Sequence, residues 1–252
     1  MKRIKNKLKI IIDGILIPYV VFVLVTFVVA NVCKNINADM NIILIQGISN
    51  VLSLFVLVPV YIAFKNKYSV TFDSFEINKL IYIIAIGFSL CIMCNMLVEY
   101  IPKESVNVVS ENVYKLTEEL NVYVTLFIIC IVVPLTEEMI FRGFFYDTVK
   151  LISNSIIAIL FTSISFALAH SDLQQVIYAF VAGLFLAYIK YKTNNIIYTV
   201  IMHCVMNLTA YIFIPTMFNV NTEKIYILFI MFIMLLMSIV RLNLFYNNKN
   251  TI

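Results

Sequence analysis

Eight long runs of apolar residues constrain this 252-residue chain more than any other feature of its sequence. A helix of roughly 20 apolar residues crosses the hydrocarbon of a bilayer, whereas an open strand would leave backbone groups unpaired there. The runs therefore predict an all-α fold, a polytopic transmembrane helical bundle of about eight spans, with the lipid bilayer as a partner. They lie near residues 10–33, 42–64, 80–101, 122–149, 153–170, 174–190, 195–214 and 225–246.

Composition excludes a soluble globular domain. Hydrophobic residues make up 62% of the chain and charged residues 13%, against about 45–50% and about 25% in an average soluble domain. The net charge is +4, but the basic residues fall in the loops, so no nucleic-acid partner is predicted.

Lysine and arginine are unevenly divided between the two sides of such a bundle, and cytoplasmic loops carry the excess. If the first residue is inside, the outer side holds only Lys34, Lys103, Lys115 and Lys224. The bias predicts a multi-pass protein of the cell membrane with both termini cytoplasmic. The predicted inner side holds the basic start together with Lys65, Lys67, Lys79, Lys150, Lys190, Lys192, Arg241 and Lys249.

Three parts follow from this layout. Residues 1–121 would form spans 1–3 and an outer loop at 102–121, residues 122–210 a core of spans 4–7, and residues 211–252 the last span and a tail.

Three charged residues lie close together at positions 137–142 of the fourth run, and charges inside a membrane are costly and usually functional. Glu138 and Arg142 are four residues apart, so they share a helix face and can pair. Glu137 points about 100° away and has no local partner, which suits a general base that takes a proton from water. Gly143 would permit close helix approach. The alternative is a cytoplasmic helix end with ordinary solvated charges.

The only two histidines of the chain, His170 and His203, lie in or at the end of apolar runs. Asn207 follows His203 by four residues, so both project from one face. A polar turn at Ser153-Asn154-Ser155 lies midway between Glu137 and His170, which would place those two residues at one height in a helical hairpin. A single membrane histidine is often only structural, but the combination of these residues favours a site.

At these positions the chain resembles the CAAX prenyl protease 2 and bacteriocin-processing (CPBP, or Abi) family of intramembrane endopeptidases. The family pattern E-E-x-x-x-R, F-x-x-x-H and H-x-x-x-N is present in order, and the resemblance covers about residues 122–210. The matching residues are Glu137, Glu138, Arg142, Phe166, His170, His203 and Asn207.

The resemblance implies a role for each of these residues. Glu137 and His170 would hold and activate the attacking water, and His203 and Asn207 would form the oxyanion hole. Glu138 and Arg142 would be a structural pair, and Phe166 would pack beside the cleft. The substrate would be a peptide or a membrane protein, and nothing in the chain chooses among prenylated tails, bacterial peptides and envelope proteins.

A metal is the open question of this interpretation. Glu137, His170 and His203 would also be a catalytic zinc set, which would make the enzyme a metalloendopeptidase. The amide of Asn207 suits an oxyanion donor better than a zinc ligand, and no H-E-x-x-H motif is present. The sequence therefore favours a glutamic peptidase without a cofactor, with Zn²⁺ as the alternative.

Two other functions fit an apolar bundle. One is a non-catalytic immunity or scaffold protein of the same fold, which would keep its phenotype in Glu137→Ala. The other is a small transporter with a proton relay, although the two halves show no repeat symmetry.

Overall fold

The computed structural model of the chain describes residues 2–98, 120–170, 173–212 and 224–249. Over these ranges the chain forms eight helices and no strand. Six of the helices are α2 (Ile42–Tyr68), α3 (Leu80–Val98, after a 3₁₀ turn at Ile77–Lys79), α5 (Ser155–Leu168), α6 (Leu173–Thr193), α7 (Ile196–Ile212) and α8 (Lys224–Lys249). Helix α1 joins Lys2–Ile11, a π-helical segment Ile12–Leu16 and Ile17–Ile36. Helix α4 joins Val122–Phe127, a π segment Ile128–Val132, Val133–Glu138, a second π segment Met139–Phe145 and Tyr146–Ile152.

The eight helices coincide with the eight apolar runs, so the all-α polytopic architecture is confirmed. In the part of the chain that is described, six helices are long and apolar enough to cross a membrane. The other two, α5 and α7, are apolar but have only 14 and 17 residues. Helix α5 stops early because the N–H groups of Ala169 and His170 turn to carbonyls three residues back. The predicted outer loop at 102–121 lies, up to residue 119, outside the described residues.

Helix α4 departs most from a regular helix, and Pro134 is involved. Proline has no backbone N–H to continue the helical ladder. Just before it, the Val133 N–H bonds to the Ile128 carbonyl five residues back, which is the π-helical pattern. The second π segment contains Arg142. The helix that carries the charged residues is therefore irregular on both sides of Glu137.

A sharp turn joins α4 to α5 where the sequence predicts one. Helix α4 ends at Ile152, and α5 begins at Ser155. Asn154 precedes α5, and its side chain accepts a hydrogen bond from the Ile157 N–H at 3.0 Å, as a helix cap does. The two helices pack as a hairpin, which is the basis of the predicted common height of Glu137 and His170.

Lys190 is not the solvated charge that its predicted cytoplasmic position implies, because it pairs with Asp147 inside the bundle. The Lys190 side chain is 0% exposed, and its Nζ lies 3.2 Å from Asp147 Oδ1. The Tyr61 hydroxyl donates to Asp147 Oδ2 at 2.6 Å. Because two buried opposite charges meet with a hydrogen-bonded hydroxyl, this cluster joins α2, α4 and α6 at the end of the bundle opposite His170.

Candidate active site

Glu138 and Arg142 form a fully buried ion pair, as their spacing predicts. Arg142 Nη1 donates to Glu138 Oε1 at 3.0 Å, and both side chains are 0% exposed. Arg142 Nη2 also donates to the Gly183 carbonyl of α6 at 3.3 Å. The pair therefore fixes α4 internally and ties it to a neighbouring helix.

The same Glu138 oxygen also contacts His203, which the sequence did not indicate. His203 Nδ1 lies 3.0 Å from Glu138 Oε1. Because a carboxylate can only accept, Nδ1 carries a proton in this contact. Glu138 thus holds the imidazole of α7 in one orientation and directs Nε2 towards Glu137.

Glu137 has a different environment from its neighbour. Its side chain is 24% exposed, and its Oε2 lies 3.7 Å from His203 Nε2, which is too long for a hydrogen bond. A water molecule or a substrate atom can therefore reach this carboxylate, whereas Glu138 is sealed. The two adjacent glutamates occupy distinct chemical positions, as the 100° offset predicts.

His170 lies just beyond the end of α5 and contacts the preceding turn. Its Nδ1 is 2.9 Å from the Phe166 carbonyl. Since a carbonyl cannot donate, Nδ1 carries the proton, and Nε2 of the neutral ring is an acceptor. The Phe166 ring meets the His170 ring edge-on at 5.1 Å and the His203 ring at 5.6 Å. Phe166 therefore packs between the two histidines, and the Arg142 guanidinium lies 4.5 Å from its centroid.

Asn207 lies one turn beyond His203 on α7 and reaches across to α4. Its Nδ2 donates to the Ile129 carbonyl at 2.9 Å. A carbonyl accepts only, so the amide nitrogen must face it, which leaves the second N–H of Asn207 available elsewhere.

One cavity of about 540 Å³ brings the four predicted catalytic residues together: Glu137, His170, His203 and Asn207 all line it. The rest of its wall is largely apolar and includes Phe166, Ala179, Ala182, Leu186, Met206 and Ala210. A polar wall opposite an apolar one, inside a helical bundle, is the arrangement of a small-molecule or peptide site.

Gly143 lies outside this cavity. A Cβ at Gly143 would be 3.3 Å from Tyr61 Cζ and 3.4 Å from Ile196 Cδ1. The glycine therefore serves the close contact of α4 with α2 and α7, as the sequence suggests.

Glu137, His170 and His203 are the residues that a zinc ion would need. Among the described residues, no three His, Cys, Asp or Glu side chains are gathered as a set that could hold a metal ion. These three share a cavity wall without forming such a cage.

The sequence interpretation missed four cavity residues that carry a side-chain amide or hydroxyl: Gln46, Gln175, Tyr178 and Tyr211. The two glutamines carried only a weak signal, because several other asparagines and glutamines also lie within the apolar runs. The tyrosines carried none, since aromatic residues are frequent in every run of this chain.

The part of the chain that contains this cavity wall is similar to a known protein family. Residues 119–209 match the family model described as type II CAAX prenyl endopeptidase, Rce1-like. This segment is therefore similar to the Rce1-like family. The match contains every residue of the cavity's polar wall that the sequence singled out, and it begins three residues before α4. No solved structure shows a significant match to the chain.

A curated relative is consistent with this result. UPF0177 protein YxdF of Lactococcus lactis subsp. lactis (strain IL1403) is 31% identical over 83 residues. The aligned part covers 32% of this chain and 45% of that protein, so the match spans less than half of the relative's length. The Rce1-like assignment confirms the resemblance inferred from the motifs, and it does not specify a substrate or the role of a residue.

Proposed function

We propose that the chain is an intramembrane endopeptidase that hydrolyses a peptide bond in a peptide or membrane-protein substrate. One observation carries the proposal: Glu137, His170, His203 and Asn207 line a single cavity inside apolar helices. Ionisable side chains inside transmembrane helices are costly and usually functional, and here a partly exposed carboxylate shares a cavity with two imidazoles. The Rce1-like match supports the peptidase class.

In this scheme Glu137 is the general base. Water held between Glu137 and His170 gives one proton to the Glu137 carboxylate, while its other O–H bond stays intact and donates a hydrogen bond to His170 Nε2. The water oxygen then forms a bond to the scissile carbonyl carbon. When the tetrahedral intermediate collapses, the C–N bond breaks, and Glu137 returns the proton to the leaving amine.

His203 and Asn207 would hold the oxyanion. Asn207 has one N–H left after its contact with Ile129. His203 already uses its Nδ1 proton on Glu138, so it can donate from Nε2 only as the imidazolium. The buried charges are compatible with that form, because Glu137 and Glu138 would then balance Arg142 and His203. The Glu138 contact therefore positions a catalytic residue as well as stabilising the fold.

We propose that the reaction needs no metal. The alternative is a metalloendopeptidase with Zn²⁺ on Glu137, His170 and His203, and metal analysis of the purified protein distinguishes the two. The chain is a multi-pass membrane protein. We propose the cell membrane as its location, with both termini in the cytoplasm.

The test is peptide release from membranes that contain the wild type or Glu137→Gln, followed by mass spectrometry. Asp39→Asn is the matched control, because Asp39 is an exposed acid that does not line the cavity. Peptides released by the wild type and by Asp39→Asn, but not by Glu137→Gln, would support the proposal. Equal release by all three would instead favour a scaffold protein of the same fold.

A further inference from the structure

The Ile129 carbonyl lies where the helical ladder of α4 is broken. In an α-helix this carbonyl would accept from the N–H of residue 133, but the Val133 N–H bonds to Ile128 instead. In the π pattern the next donor would be residue 134, which is proline and has no N–H. Ile129 O therefore receives a hydrogen bond neither from its α-helical donor, residue 133, nor from its π-helical position, residue 134.

The side-chain amide of Asn207 donates the hydrogen bond that the backbone does not supply. Its Nδ2 lies 2.9 Å from Ile129 O, which is ideal for a hydrogen bond. In the membrane an unpaired carbonyl is expensive, and neighbouring helices commonly satisfy those that a proline releases. The contact joins α7 to α4 one turn from His203 and fixes the plane of the Asn207 amide.

We propose that Pro134 is a positioning residue for Asn207: by withholding a backbone donor it reserves Ile129 O for the Asn207 amide. The carbonyl holds one amide N–H, and the geometry leaves the other free for the cavity. A residue with an N–H at position 134 would compete for the same carbonyl and release the amide. The structural part of this inference stands on the hydrogen bond alone, whereas its catalytic part rests on the proposed endopeptidase function.

A double-mutant cycle in thermal stability tests the structural part without any substrate. The purified full chain is compared as wild type, Asn207→Ala, Pro134→Ala and the double variant. Asn207→Ala alone leaves the Ile129 carbonyl without a hydrogen bond and should lower Tm by about 2–12 °C. In the Pro134→Ala background the new N–H satisfies Ile129 O, so the same change should lower Tm by less than half as much.

Pro59→Ala provides the matched control, because Pro59 also lies inside a helix but is exposed and far from the cavity. Combined with Asn207→Ala, it should give additive Tm changes. If Asn207→Ala does not accumulate, the similarly sized Asn207→Leu takes its place. Additive Tm changes for Pro134→Ala and Asn207 variants would overturn the inference.

The catalytic part is measured on an internally quenched peptide, selected from a random library because the wild type cleaves it. Pro134→Ala should lower kcat by up to about 10²-fold, the scale of a small misplacement, with KM unchanged. In the Asn207→Ala background it should have no further effect on kcat. An equal fall in both backgrounds would overturn the positioning role. Tm coupling without any wild-type cleavage would instead count against the endopeptidase function and leave the Pro134–Asn207 link supported.

Discussion

Substitution of glutamine for glutamate should lower the stability of the protein at Glu138 but its turnover at Glu137. Glu138→Gln keeps the shape of the side chain but removes the charge that faces Arg142. The guanidinium would retain its 3.3 Å hydrogen bond to the Gly183 carbonyl and its position 4.5 Å from the centroid of the Phe166 ring. Its Nε has no hydrogen-bond partner among the described residues. Arg142 would then be a buried cation without its ion-pair partner.

The expected magnitude follows from that burial. Removing one partner of a fully buried pair destabilises a protein by about 3–5 kcal/mol. For a chain of this size each kcal/mol shifts Tm by roughly 2–4 °C, so Glu138→Gln should lower Tm by about 6–20 °C. Glu137 is partly exposed and 3.7 Å from its nearest charged partner, so Glu137→Gln should change stability by about 0–1 kcal/mol.

Thermal unfolding in detergent, at one fixed scan rate, measures both variants. A second change provides the control: Arg142→Met in the Glu138→Gln background removes the stranded cation and should recover part of the lost Tm. Turnover is measured in parallel and should fall about 10²–10⁴-fold in Glu137→Gln despite its normal Tm. Equal Tm values for the two single variants would refute this division of roles.

Three further predictions concern topology, mechanism and the second buried pair. Reporter fusions after Lys115 and Lys192 should report opposite sides of the membrane, and the same side for both would exclude the proposed orientation. Asn207→Ala and His203→Ala should each lower turnover by about 10²–10³, the scale of one oxyanion donor, whereas stoichiometric zinc that disappears in His203→Ala would exclude the metal-free scheme. Lys190→Met leaves a buried carboxylate unpaired and should lower Tm by about 6–20 °C; a normal Tm would show that this pair is solvated.

The helices of this protein were predictable because the hydropathy of the chain leaves no other solution. Apolar runs in a bilayer must satisfy their own backbone, and they do so as helices whatever their neighbours are. The Glu138–Arg142 pair was predictable for a similar reason, since four residues along a helix place two side chains on one face. The turn at residues 153–155 followed from local polarity.

The sequence did not predict which side chains of different helices contact each other. Glu138 and His203 are 65 residues apart, and which carboxylate meets the imidazole depends on the rotation of α7 against α4. The sequence placed Lys190 among the solvated charges, because burial is a property of packing that composition does not report. The π segments of α4 also shift the register by one residue, so ideal helix geometry misplaces the groups around Pro134.

Helix α5 has a consequence for how water reaches the site. Its 14 residues extend for about 21 Å, against roughly 30 Å of hydrocarbon. Lipids beside a short helix thin locally or admit water at its end, and the end of α5 is where His170 lies. In the proposed endopeptidase, the hydrophobic mismatch would thus bring the water that hydrolysis consumes towards His170. Reconstitution in thicker bilayers should therefore slow turnover without changing the fold.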